Sequence, residues 1–240
     1  MNSDNLAQIW VYLSASPLFG LTMTLIAYGI AHRVYRLAKG NPLLNPVVTA
    51  VGLLIVLLLT IGMPYQDYFA GAQFVHFLLG PATVALAIPL YRQFSKLKKL
   101  WLPVLVALLA GVTIGGASVV KIAQWLGADQ QTLLSLAPKS VTAPVAMGIS
   151  ERLGGLPSLT AVLVVTTGVI GSVLGTRLFD LLRIRDDSVR GIAMGVAAHG
   201  IGTARAFQVS AEMGAFAGLA MALSAFLASV LLPWVMGWLL

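Results

Sequence analysis

A chain of 240 residues that is 58% hydrophobic and 10% charged, with a mean hydropathy of +0.91, lies far outside the soluble globular range. It reads as an integral membrane protein: no stretch is long and polar enough to present the excess of 15 Lys+Arg over 8 Asp+Glu as a nucleic-acid-binding surface. The absence of Cys excludes disulfide frameworks, thiolate metal sites and thiol catalysis.

The opening MNSDNLAQIW carries no base before its apolar run and is not expected to be a removable signal peptide. Spanning a bilayer takes about 20 apolar residues as a helix, because lipid offers backbone N–H and C=O groups no partner. Stretches 11–31, 43–61, 68–91, 101–120 and 156–176 meet that requirement without a charged residue, and 213–240 makes a sixth, either one tilted span or a span with a short interfacial end. Bases collect in three loops: Arg33, Arg36 and Lys39; Arg92, Lys96, Lys98 and Lys99; Arg177, Arg183, Arg185 and Arg190. Placing those loops in the cytoplasm puts the N-terminus in the periplasm of a bacterial inner membrane.

That orientation creates a parity problem between 120 and 156, where the chain must leave and return on one face. Residues 130–152, QQTLLSLAPKSVTAPVAMGISER, therefore read as a re-entrant hairpin broken around Ala137 and Pro138. A second interrupted element, GIAMGVAAHGIGTARA at 191–206, enters from the cytoplasmic side, and the third span is broken at Gly80 and Pro81. LGPATV at 79–84 resembles LAPKSV at 136–141, and Gly80 and Thr83 match Gly200 and Thr203 at an offset of 120. The expected fold is an all-α polytopic membrane protein of about 6–8 transmembrane segments, with inverted repeats 43–124 and 156–240 joined by the hairpin.

The breaks carry the candidate site. Lys139, beside the first break, is flanked by Ser140 and Thr142; a lysine at that depth needs a cavity or a partner. His199, Gly200, Gly202, Thr203 and Arg205 crowd the second break, and Pro81 and Thr83 the third. Gly191, Gly195, Gly214 and Gly218, at four-residue spacing, read as helix-packing notches. No Asp or Glu sits inside an apolar run, so the centre is net cationic and suits a small organic anion held by Lys139 and Arg205, with Thr83, Ser140, Thr142 and Thr203 as orienting hydroxyls. His199, Glu151 and Glu212 are the candidates for proton coupling. Paired membrane carboxylates, a nucleophile elbow and His ligand spacing are absent, so neither an enzyme nor a metal or other cofactor is expected.

The blocks FLLGPATVALAIPLY, LAPKSVTAPVAM and AMGVAAHGIGTARA, within a resemblance covering residues 15–240, are similar to those of the CidB/LrgB family. The resemblance implies either of two functions. Plastid relatives transport glycolate and glycerate, and some bacterial relatives are linked to pyruvate or related acids; others are described as holin-like or antiholin-like regulators of murein hydrolases and lysis. It also implies a small CidA/LrgA-type membrane partner, with a homo-oligomer, taken as a dimer, expected in the bilayer.

Overall fold

The structure, a computed structural model, describes residues 17–41, 44–78, 81, 84–85 and 87–240, and among these are ten helices and no strand. The protein is an all-α polytopic membrane protein. Its chain forms two compact units, Met1–Ala85 and Leu86–Leu240.

In the first unit α1 (Pro17–Leu37) packs against α2 (Pro46–Ile61) and α3 (Tyr65–Phe77). α1 is stopped by two successive residues with positive φ, Lys39 and Gly40, and α2 begins where the Asn45 side chain accepts a hydrogen bond from Val47 N and Pro46 occupies the first turn. Gly62, with φ of 65°, ends α2. Ala27, Ala31 and Ala50 form the small core, and the Thr24 hydroxyl lies 2.7 Å from that of Tyr68. Residues 11–16 of the expected 11–31 span lie outside the described residues, and α1 carries Arg33 and Arg36 in its last turns. The expected 68–91 span is divided between α3 in this unit and α4 (Ala87–Arg92) in the next, with Gly80 and Thr83 outside the described residues and Pro81 exposed.

The second unit is built on α5 (Phe94–Trp125), α8 (Pro157–Leu181) and α10 (Ala211–Leu239), each long and apolar enough to cross a membrane. α10 is a single helix of 29 residues over the expected sixth span. At 32 residues α5 is about 48 Å long, so its Lys96 and Lys121 ends overreach a hydrocarbon layer of about 30 Å. α5 and α10 run parallel. Lys96 reaches Glu212 at 2.6 Å at one end, Gly116 packs on Leu232 in between, and Lys121 donates to Leu239 O at 3.1 Å at the other. α8 runs the opposite way, from Thr160 at the Lys121 end to Asp180, which pairs with Arg190, at the Lys96 end.

Between these helices lie α6 (Gln130–Leu136), α7 (Ala143–Leu153) and α9 (Asp187–Val209). The packing expectation for Gly191 and Gly195 holds: a Cβ on either would strike the α10 backbone, at Met213 O and Ala217 O respectively. Gly195→Val should therefore lower stability by about 1–3 kcal/mol. Gly29→Ala on α1, where a Cβ would have no neighbour within 4 Å, should leave stability unchanged or raise it; melting temperatures in detergent check both.

Candidate functional site

The first hairpin enters from the Lys121 end. Asp129 caps α6 by accepting from Thr132 N at 2.9 Å, the chain leaves helical geometry at 137–142, and α7 returns to a C-cap at Gly154 with φ of 87°. Its base is fastened by buried hydroxyls. Ser135 Oγ accepts from Leu156 N at 2.7 Å, while the Thr160 hydroxyl lies 2.7 Å from Ser150 Oγ and 3.0 Å from Ser135 O. The Thr142 side chain makes no capping bond, so the first turn of α7 opens on the bundle interior without one.

The second hairpin, folded within α9, enters from the Lys96 end. His199, with φ 40° and ψ −133°, reverses the chain, and Gly202 on the returning half packs against Ala198 and Met194 O on the entering half. Its base closes where Ser210 Oγ donates to Asp187 Oδ2 at 2.6 Å. The His199 ring is buried, with Nε2 2.9 Å from Val164 O on α8, which assigns the proton to Nε2. Thr203 Oγ1 donates to His199 O at 2.8 Å. Gly168, Gly171 and Gly175 on α8 admit His199, Ala198 and Met194, and Gly111 on α5 admits Val196. These glycines were not singled out in the sequence, and their three- to four-residue spacing on α8 is the signal that would have found the seat of the hairpin.

The two tips meet near the middle of α5. Pro138, Ser140 and Val141 from the first hairpin share a void of about 10 Å³ with Val196 from the second. Beside it lies a cavity of about 850 Å³. Lys139 and Ser140 form one part of its wall, with Lys139 Nζ 3.2 Å from Ser140 Oγ, and α8 adds Thr167, Ile170 and Gly171. From there it extends along α5 past Ala107 and Val104 to Leu100, and along α9 past Val196 and Ile192 to Ser188. That direction is toward the Lys96 end. The Lys121 half is packed instead, by Val112, Val141, Ile149, Val164 and Leu232, and beyond them by Val120, Leu133 and Met236.

Lys139 is half-buried, and among the described residues no carboxylate lies within ion-pair distance of it. Thr142 lies at the same tip. Gly200, Thr203 and Arg205 do not line the cavity: the reversal at His199 turns the returning half toward α10, where Gly200 and Thr203 meet Met221, and Arg205 Nη1 donates to Gln208 at 3.1 Å. Glu151 is exposed near the end of α7, and Glu212 is held by Lys96. Thr167 and Ser188, which the sequence did not single out, do line the cavity; Thr167 is one of a threonine pair in an apolar run, Ser188 stands at a loop edge, and neither carries a motif. At the cavity's Lys96 end, Lys96 also pairs with Asp186, the N-cap of α9, at 3.3 Å.

The LrgB-like family model matches residues 24–238. The chain belongs to the LrgB-like family. Among its curated relatives in that family, the uncharacterized protein YwbG of Bacillus subtilis is 35% identical over 91% of this chain and 97% of its own length. The holin-like protein CidB of Staphylococcus epidermidis is 34% identical over 89% of this chain and 93% of its own. The antiholin-like protein LrgB of Bacillus mycoides is 34% identical over 92% and 96%. No solved structure matches this LrgB-family chain.

Two measurements probe the local geometry. His199→Ala and His199→Gly both lose the bond to Val164, but only Gly relaxes at φ 40°, so the Gly variant should be the more stable by about 1–2 kcal/mol in thermal unfolding. At the cavity mouth, the Ser188 hydroxyl, with the Val189 N–H, Lys96 and the Ser188 N–H, holds the Asp186 carboxyl down to about 2 from its ordinary 3.8. A carboxyl lowered on folding contributes stability that is present above its ordinary value and is lost as pH falls through about 2. The melting-temperature gap between wild type and Asp186→Asn, open at pH 5, should therefore close toward pH 2.

Proposed function

We propose that this LrgB-family chain is a secondary carrier of small monocarboxylates, of the glycolate, glycerate, lactate or pyruvate type, in the bacterial inner membrane. One observation carries the reading: two hairpins entering from opposite ends meet at a cavity that contains the unpaired Lys139 and extends toward one end only. A buried cation without a carboxylate is costly, and an anionic ligand offsets that cost. The ligand carboxylate is taken up by Lys139 and Ser140, with the positive dipole end of α7 behind them. Arg205 is left out of the anchor, since it does not line the cavity.

Alternating access then consists of closing the Lys96 half while the Lys121 half opens around the tips. The segments 94–153 and 157–209, each a spanning helix followed by a hairpin and running with opposite polarity, form the inverted repeat in this reading, in place of 43–124 and 156–240. Lys96, Lys98 and Lys99 gather with Arg183, Arg185 and Arg190 near one end, which supports a cytoplasmic location for that end. His199 is the coupling candidate nearest the tips, with Nδ1 as the free acceptor. A CidA/LrgA-type partner and a homodimer complete the reading.

The names of the relatives favour a second reading, a holin-like or antiholin-like pore or pore regulator that affects murein hydrolase activity and lysis. Proteoliposomes with and without the small partner separate the two. A carrier should take up labelled pyruvate or glycolate saturably, and Lys139→Ala should reduce uptake at low substrate by about tenfold or more, the loss of one charge-assisted contact. Non-saturating passage that admits neutral solutes of similar size equally, and is indifferent to Lys139→Ala, would establish the pore instead.

A further inference from the structure

The cavity is chemically lopsided. Its polar groups at the hairpin level are Lys139, Ser140 and Thr167, and the next along its length is Ser188 at the Lys96 end, whose hydroxyl is already engaged by Asp186. Leu100 to Gly115 on α5 covers about 22 Å of helix, so a long wall separates the polar level from the mouth. That wall is aliphatic: Pro103, Val104, Ala107, Ile192, Ala193 and Val196. Its volume of about 850 Å³ falls in the range of about 300–1,000 Å³ that accommodates drug-sized ligands, and exceeds what a three-carbon acid fills.

We infer that the cavity selects monocarboxylates with an apolar body, such as linear or branched 2-oxo acids of five or six carbons, over hydroxylated acids and dicarboxylates. This rests on Lys139 as the carboxylate anchor and narrows the substrate class of the same site. The carboxylate and oxo group use the Lys139, Ser140 and Thr167 level, and the alkyl chain lies along α5 and α9. A hydroxyl or second carboxylate carried toward the mouth meets aliphatic side chains and loses its water without replacement.

Calorimetric titration of the purified protein in nanodiscs tests this without requiring transport. The probes are pyruvate, 2-oxobutanoate, 4-methyl-2-oxopentanoate, glycerate and malate. Affinity should rise about three- to fourfold per added methylene along the 2-oxo series, with glycerate and malate weaker than pyruvate. Ala193→Phe should erase the gain with chain length while pyruvate binding persists; Ala107→Phe on α5 is the second variant should the first not fold. A flat series, or glycerate binding as tightly as 4-methyl-2-oxopentanoate, overturns the inference. Graded binding in a protein whose liposomes show only non-saturating passage keeps the inference and removes the carrier. Saturable pyruvate uptake with a flat series does the reverse, and no binding of any acid removes both.

Discussion

Backbone that leaves the helical hydrogen-bond ladder inside a bilayer has to be covered by protein or by a water-filled cavity. Everything in the second unit follows from meeting that requirement twice. The 137–142 break is covered by α5 and α10 through Gly116, Leu232 and Met236, and the reversal at His199 is covered by α8. The glycines on α5 and α8 are consequences of this arrangement: a tip can be covered only if the helix beside it lets backbone approach.

The electrostatics follow from the same arrangement. Near the Lys96 end two of the cations have carboxylate partners, with Lys96 bridging Asp186 and Glu212 and Arg190 pairing with Asp180. Lys139 at the tips is different in kind, since its nearest polar neighbour is an uncharged hydroxyl on the adjoining residue. A cavity with one unbalanced cation and largely aliphatic walls exerts its attraction at one point and leaves the remainder of a ligand to be judged by its apolar surface.

Much of this was legible from residue order. The parity of basic loops required 130–152 to return to its own face, and Pro138 located the break. The glycine density around His199 marked the second interruption. Its consequence for Arg205 was not legible: one residue at φ 40° decides which face of the returning half meets the cavity, and neither spacing nor composition encodes that. Thr167 and Ser188 were missed for the opposite reason, since hydroxyls outside any motif acquire meaning only from the wall they stand in. The third span, 68–91, was read as interrupted at Gly80 and Pro81, and Gly80 lies outside the described residues.

The contact between Ser210 and Asp187 bears on the order of assembly. It brings together the two ends of the second hairpin, so the whole excursion is a segment of chain closed at its base. Forming it demands little loop-closure entropy beyond a short local turn. Helices α8 and α10 each pack on α9, so the hairpin is the element through which they are joined. The element that carries the sharpest backbone reversal is thus closed locally at its base and held at its tip by distant residues, Val164 and Gly168 on α8 and Gly111 on α5.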